Sequence, residues 1–270
     1  MTHDVMEFIL LLLQTILLRP YVFLFFAAFL VSGKQLLGWP RTWALFGMTW
    51  ATAFVSEFSS TRIGIPFGMY YYTQSTAGRE LYLSNIPVMD TLSFTFLLFA
   101  SYTLALWFAL PSRRTREWPH IVFRFDLPSR TGWPVLILTV LFYTYIDIII
   151  DPVALQGRRW FLGEIYGYPI PGIYFGVPIS NFVGWAVVGT ISMCGYVVAD
   201  RRLSPLPEPG RVTVMKGVLW GCGLYYGVLA FNLLVTFWIG EFLLGTIGVL
   251  IYLPILILFS LRHRNASPNH

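Results

Sequence analysis

Val135-Leu-Ile-Leu-Thr-Val-Leu-Phe-Tyr-Thr-Tyr-Ile-Asp147-Ile-Ile-Ile-Asp151-Pro152 is an apolar run of membrane-crossing type, yet two carboxylates interrupt it. A third, Glu57, ends the apolar run Trp43–Ser56. An ionisable group in hydrocarbon costs at least ~2.5–3.5 kcal/mol on insertion scales, so carboxylates at such depth mark a functional site. The plainer reading is that they cap helix ends or pair with loop arginines.

Composition sets the class. Of 270 residues 56% are hydrophobic, 18% aromatic and 11% charged, where a soluble domain carries about 25% charged residues. The chain reads as an all-α, polytopic transmembrane helical bundle. No Ser/Gly-rich linker or charge block divides it, so residues 1–270 form a single domain. Seven stretches approach the length needed to cross a ~30 Å core as helices. They are about 21–38, 42–60, 88–110, 133–151, 178–199, 215–237 and 240–261. The run Phe8–Leu18 is too short to span and is expected at the interface or as an extension of the first helix. It lacks the basic start and small-residue cleavage site of a signal peptide.

Basic residues orient the bundle. Thirteen fall on one side: Lys34, Arg41, Arg113, Arg114, Arg116, Arg124, Arg130, Arg201, Arg202, Arg211, Lys216, Arg262 and Arg264. Arg19, Arg62, Arg79, Arg158 and Arg159 make five on the other. The asymmetry predicts a multi-pass protein of the cell membrane, with the tail 262–270 in the cytoplasm. The net charge of +5 suits anionic lipid headgroups and gives no reason to expect nucleic acid. Cys194 and Cys222 both lie in spans without CxxC spacing, so no disulfide is expected. His3, His120, His263 and His270 form no ligand cluster, so no ordinary transition-metal site is expected.

Helix rise converts position to depth. Glu57 and Asp147 sit ~21 Å from the basic side and Asp151 ~27 Å, while Asp90 and Asn181 lie within ~5 Å of the opposite edge. Asn232 and Glu241 belong to that same outer half. Asp147 and Asp151, four residues apart, share one helix face. Both cannot ionise cheaply in low dielectric, so one keeps a proton and can serve as a general acid. Asp151 is equally readable as a solvated helix stop before Pro152.

Two outer loops flank this layer and look alike. Each follows a span ending in an acid, and each closes on Pro87 or Pro178 at a helix start. Glu57 to Pro87 is 30 residues and Asp151 to Pro178 is 27, with Asp90 aligned to Asn181. The pattern is that of a parallel internal repeat. Tyr70, Tyr71, Tyr72, Trp160, Tyr166, Tyr168 and Tyr174 read as an interfacial belt or as the lining for a long apolar substrate.

Three strings then carry a resemblance. Ser56-Glu-Phe-Ser-Ser-Thr-Arg-Ile-Gly-Ile-Pro-Phe-Gly-Met-Tyr-Tyr-Tyr, Asp147-Ile-Ile-Ile-Asp-Pro-Val-Ala and Tyr174-Phe-Gly-Val-Pro-Ile-Ser-Asn-Phe-Val-Gly-Trp resemble the CruF-type carotenoid 1′,2′-hydratases over roughly residues 19–261. The resemblance implies a hydro-lyase of the membrane that adds water across the terminal double bond of an acyclic carotenoid, leaving a tertiary alcohol. It also leads us to expect association with other carotenoid-pathway enzymes. No redox cofactor is required, and no dinucleotide fingerprint or set of haem ligands is seen. Protonating the alkene needs a buried acid, for which Asp147 and Glu57 are the candidates. Asp151 would position water or hold the partner charge, and Asp90 and Asn181 would orient the network. Asn181, Tyr70, Tyr72, Arg62, Trp160, Tyr174 and Trp185 are the candidate substrate contacts.

Other functions remain to be weighed. A magnesium-diphosphate prenyltransferase needs two aspartate-rich sites where this chain has one short pair. A membrane lycopene cyclase also protonates a polyene end but traps the cation with an internal double bond. A non-enzymatic carotenoid or lipid binder would explain the aromatics but not the acids.

Overall fold

The computed structural model describes residues 2–206 and 210–264. Helix α1 (Thr2–Leu18) stops at Arg19, whose φ of −125° and ψ of 49° leave the helical region. Pro20 then opens α2 (Pro20–Ile63) at a position where a missing N–H is harmless. The N-terminal run is therefore a helix of its own and not an extension of the first span. Phe8, Leu10, Leu13 and Leu17 are exposed along it, whereas Thr15 is buried. The Thr15 hydroxyl accepts the Leu81 N–H at 2.8 Å, which ties the end of α1 to the first loop.

Gly38 interrupts α2 with φ 74° and ψ 163°, a conformation that a β-carbon disfavours, and Pro40 follows. The chain doubles back there. The rings of Phe26 and Phe46 stand 5.7 Å apart, where the same stretch of straight helix would separate them by ~30 Å. Residues 20–37 and 39–63 are thus antiparallel arms that match two predicted stretches. Among the described residues six helices are long and apolar enough to cross a membrane. With α2 counted by its arms, they supply the seven expected crossings.

After α2 come β1 (Tyr71–Tyr72), β2 (Tyr82–Leu83) and β3 (Ile86–Pro87), then α3 (Val88–Ala109). A ribbon of β4 (Ser112–Arg114) and β5 (Ile121–Phe123) leads to the one-turn α4 (Leu127–Arg130). Next follow α5 (Trp133–Leu155), β6 (Tyr166–Gly167), α6 (Ile179–Arg202), α7 (Arg211–Trp238) and α8 (Phe242–Arg264). The remainder of the predicted tail, residues 265–270, lies outside the described residues. The helix stop expected at Asp151-Pro152 is not where α5 ends. One further turn runs to Leu155 and leaves Asp151 buried.

The bundle is organised around α3, which is buried along nearly its whole length. Its buried Thr95, Ser101 and Thr103 need no outside partner, because each donates to a carbonyl of its own helix. Close approach of α7 depends on Gly221, where an added β-carbon would lie 2.3 Å from Thr103 Oγ1. Without a hydrophobic drive between helices in lipid, such small-residue contacts let backbones pack closely.

The repeat takes physical form where the two loops pair. β1 lies antiparallel to β6 with Tyr72 opposite Tyr166. Phe94 and Trp185, each four residues past the aligned Asp90 and Asn181, stack at 4.5 Å with 10° between their planes. The helix α3 packs against α5, and α2 against α6. Matching positions of the two units thus meet each other, which is the contact pattern expected of a parallel internal repeat.

Candidate active site

Helices α2, α3, α5, α6 and α7 and the paired loops converge on a cavity of about 140 Å³ at the loop end of the bundle. Glu57, Asp90, Asp147, Asp151, Asn181, Tyr70, Tyr72, Trp160 and Trp185 all line it. Arg62 and Tyr174 do not. Five residues after Glu57, Arg62 is turned ~140° around the helix. There it is exposed, donates to the Phe58 carbonyl at 2.9 Å and lies 3.4 Å over the Phe58 ring. Tyr174 faces Phe182, with ring centroids 5.8 Å apart. Asn232 joins the wall from α7, whereas Glu241 pairs with Arg159 outside the cavity.

The first repeat unit contributes Glu57, Tyr72 and Asp90. The Tyr72 hydroxyl lies 2.7 Å from Glu57 Oε1 and 2.7 Å from Asp90 Oδ2. A hydroxyl donates only one hydrogen, so the second contact requires a hydrogen carried by a carboxyl. With both contacts as hydrogen bonds, the three side chains share two hydrogens, one of them carried by Glu57 or Asp90.

The second unit is built differently. Asp151 accepts from Tyr166, from Tyr168 at 2.9 Å and from Asn181 Nδ2 at 3.1 Å. Three donors satisfy an ionised carboxylate. Asn181 Nδ2 also donates to Asp147 Oδ2 at 2.6 Å, so one amide bridges the pair. The other oxygen of Asp147, Oδ1, is buried and has no hydrogen-bond partner among the described residues, and the same holds for Glu57 Oε2. Among the described residues no arginine or lysine forms an ion pair with these four acids. The pairing with loop arginines offered by the plainer reading is absent.

Asp147 also breaks the repeat. It lies four residues before Asp151, and the residue four before Glu57 is Ala53. The loop tyrosines serve as fixed donors on both sides. Burial, then the nearby carboxylates, holds the phenols of Tyr72 and Tyr166 well above the usual tyrosine range, so both keep their hydrogens. A buried clamp holds the loops over the cavity. Arg19 donates to Glu80 at 3.0 and 3.2 Å and to the Leu162 carbonyl at 2.6 Å, joining the α1–α2 break to both loops.

Sequence reasoning read Tyr166 and Tyr168 as interfacial belt or substrate lining, without their contact to Asp151, and Arg19 only among the basic residues of the outer side. The available signal was spacing, since Tyr72 follows Glu57 by 15 residues and Tyr166 follows Asp151 by 15. Nothing in the sequence pointed to the Arg19–Glu80 pair.

Fold and cavity together define a multi-pass helical membrane protein with an acid-lined chamber inside its spans. Residues 6–254 match the model of the carotenoid biosynthesis protein family, and the chain belongs to that family. Its role therefore lies in carotenoid biosynthesis. No curated protein matches the chain, and no solved structure does.

Proposed function

We propose that this protein is a carotenoid hydratase, adding water to the terminal double bond of an acyclic carotenoid end. The observation that carries the reading is Asp147, a buried acid with one unbonded oxygen, beside an Asp151 that accepts from three donors, inside an aromatic cavity. The cavity volume is close to that of an apolar cavity that takes up benzene, so it fits the end of a polyene and not its length.

In the proposed reaction the Asp147–Asp151 pair shares one proton. Asp147 donates it to the less substituted alkene carbon, whose π electrons form the new C–H bond and leave a tertiary cation. The two carboxylates stabilise that cation, with the ring faces of Tyr70, Trp160 and Trp185 around it. A water attacks the cation through oxygen and loses its extra proton to the pair, which restores the starting state. The sum is alkene plus water giving alcohol, with no electrons exchanged. Glu57, Tyr72 and Asp90 supply further negative charge from the opposite wall.

The test is an anaerobic reaction in ¹⁸O-labelled water with a lycopene-producing membrane as substrate source. Hydration predicts a product heavier by one labelled water. A product of unchanged mass would indicate cyclisation, an unaltered carotenoid would indicate a binder, and a requirement for molecular oxygen would indicate an oxygenase. Any of these three outcomes refutes the proposal.

A further inference from the structure

At the opposite end of the bundle Asp200, near the end of α6, lies between two arginines, and all three side chains are buried. Arg130 donates from Nε and Nη2 at 3.0 Å to the two Asp200 oxygens. Arg41 donates Nε to Asp200 Oδ1 and Nη2 to the Ser204 carbonyl at 2.6 Å. Two guanidinium groups face one carboxylate, so the triad carries a net charge of about +1, and arginine does not shed its proton in proteins. Buried charge is expensive unless something answers it.

A second cavity, of about 660 Å³, opens on this triad. Five arginines line it against two aspartates. Arg124 is balanced by Asp126 and Arg211 by Glu117, whereas Arg201 has no ion-pair partner among the described residues. Arg41 Nη1 likewise has no acceptor among them. The remaining walls are largely apolar, with Phe123 and Phe125 among them. The carboxyl chamber is built from other residues altogether, so this cavity is a separate site.

We propose that this cavity binds a phosphate group, either that of an anionic phospholipid in the adjoining leaflet or free phosphate. Guanidinium forks match phosphate oxygens in pairs, which sets Arg apart from Lys as a recognition group. Basic pockets between spans are a recurring means of holding lipid headgroups. The volume is far more than a bare phosphate needs, and the apolar walls suit the glycerol and upper acyl carbons of a lipid.

The experiment uses the full chain purified in neutral detergent. Short-chain phosphatidylglycerol, phosphatidylcholine and inorganic phosphate are titrated separately, with thermal unfolding and native mass spectrometry as readouts. Phosphatidylglycerol is expected to raise the unfolding temperature and remain bound in the mass spectrum, while phosphatidylcholine does neither. The rim variant Arg124→Gln/Arg201→Gln should weaken that binding roughly tenfold or more. It changes two side chains at the cavity mouth and leaves the buried triad in place. Inorganic phosphate that stabilises the protein and displaces phosphatidylglycerol would identify the soluble anion as the source. No stabilisation by either probe, or equal binding by the rim variant, would overturn the proposal. Neither readout requires carotenoid conversion, so the result is independent of the hydratase reading.

Discussion

Tyr72 and Tyr166 are cross-strand partners, and each hydroxyl reaches the carboxylate that precedes it by 15 residues. The pair ties both halves of the repeat to one cavity, and it gives each acid a donor drawn from outside its own helix. The two halves differ in what they add. Tyr72 is shared between two carboxyls, while Asp151 collects Tyr166 and Tyr168 for itself and shares Asn181 with Asp147.

Tyr72→Phe removes one hydroxyl and leaves the ring in place. Glu57 and Asp90 lose their common partner, so turnover should fall on the order of 10²-fold, the range seen when a positioned donor is lost. Infrared spectroscopy supplies a readout independent of substrate. The C=O stretch of the neutral carboxyl hydrogen-bonded to Tyr72 should shift in the variant, and an unchanged band would contradict the hydrogen count.

Asp147→Asn should preserve the fold, since the amide is nearly isosteric and Asp147 carries no ion pair. Loss of a positioned general acid typically lowers turnover ~10²–10⁴-fold. Glu57→Gln should also slow the reaction, but by less, because its wall supplies charge and not the transferred proton. Initial rates on an acyclic carotenoid decide the matter. Equal rates for Asp147→Asn and wild type would remove Asp147 from the proton-donor role.

Glu80→Ala strips the counter-charge from Arg19, where both side chains are fully buried. Breaking a buried pair from one side costs about 3–5 kcal/mol, so the apparent unfolding temperature in detergent should drop. The double variant Arg19→Met/Glu80→Met should recover much of the loss, because no unpaired charge remains. A single variant as stable as wild type would show that the clamp contributes little.

The basic asymmetry predicts that the Ser112 loop faces the cytoplasm and the Ser75 loop the exterior. Both serines are exposed. In intact cells a membrane-impermeant thiol reagent should label Ser75→Cys and spare Ser112→Cys. The reverse pattern would invert the orientation and place the acid chamber toward the cytoplasm.

Hydropathy and helix rise were enough to locate the crossings and to put Glu57, Asp90, Asp147, Asp151 and Asn181 in one layer. The gap between the predicted stretches 21–38 and 42–60 fell where Gly38 breaks the helix. Depth is a one-dimensional quantity, proportional to residue number along a helix, and so it can be read from the chain alone. Partner choice is not of that kind. It depends on how far each helix is rotated about its axis and on where long loops return. Tertiary structure therefore decided that Arg62 points away while Tyr166 and Tyr168 turn in, and that Asp151 is fully bonded while Asp147 keeps an unbonded oxygen. The same holds for the buried pairs Arg19–Glu80 and Arg130–Asp200, whose members lie 61 and 70 residues apart. Only the folded chain, which sets Arg130 of α4 beside Asp200 of α6 and Arg19 beside the loops, brings those charges within bonding distance.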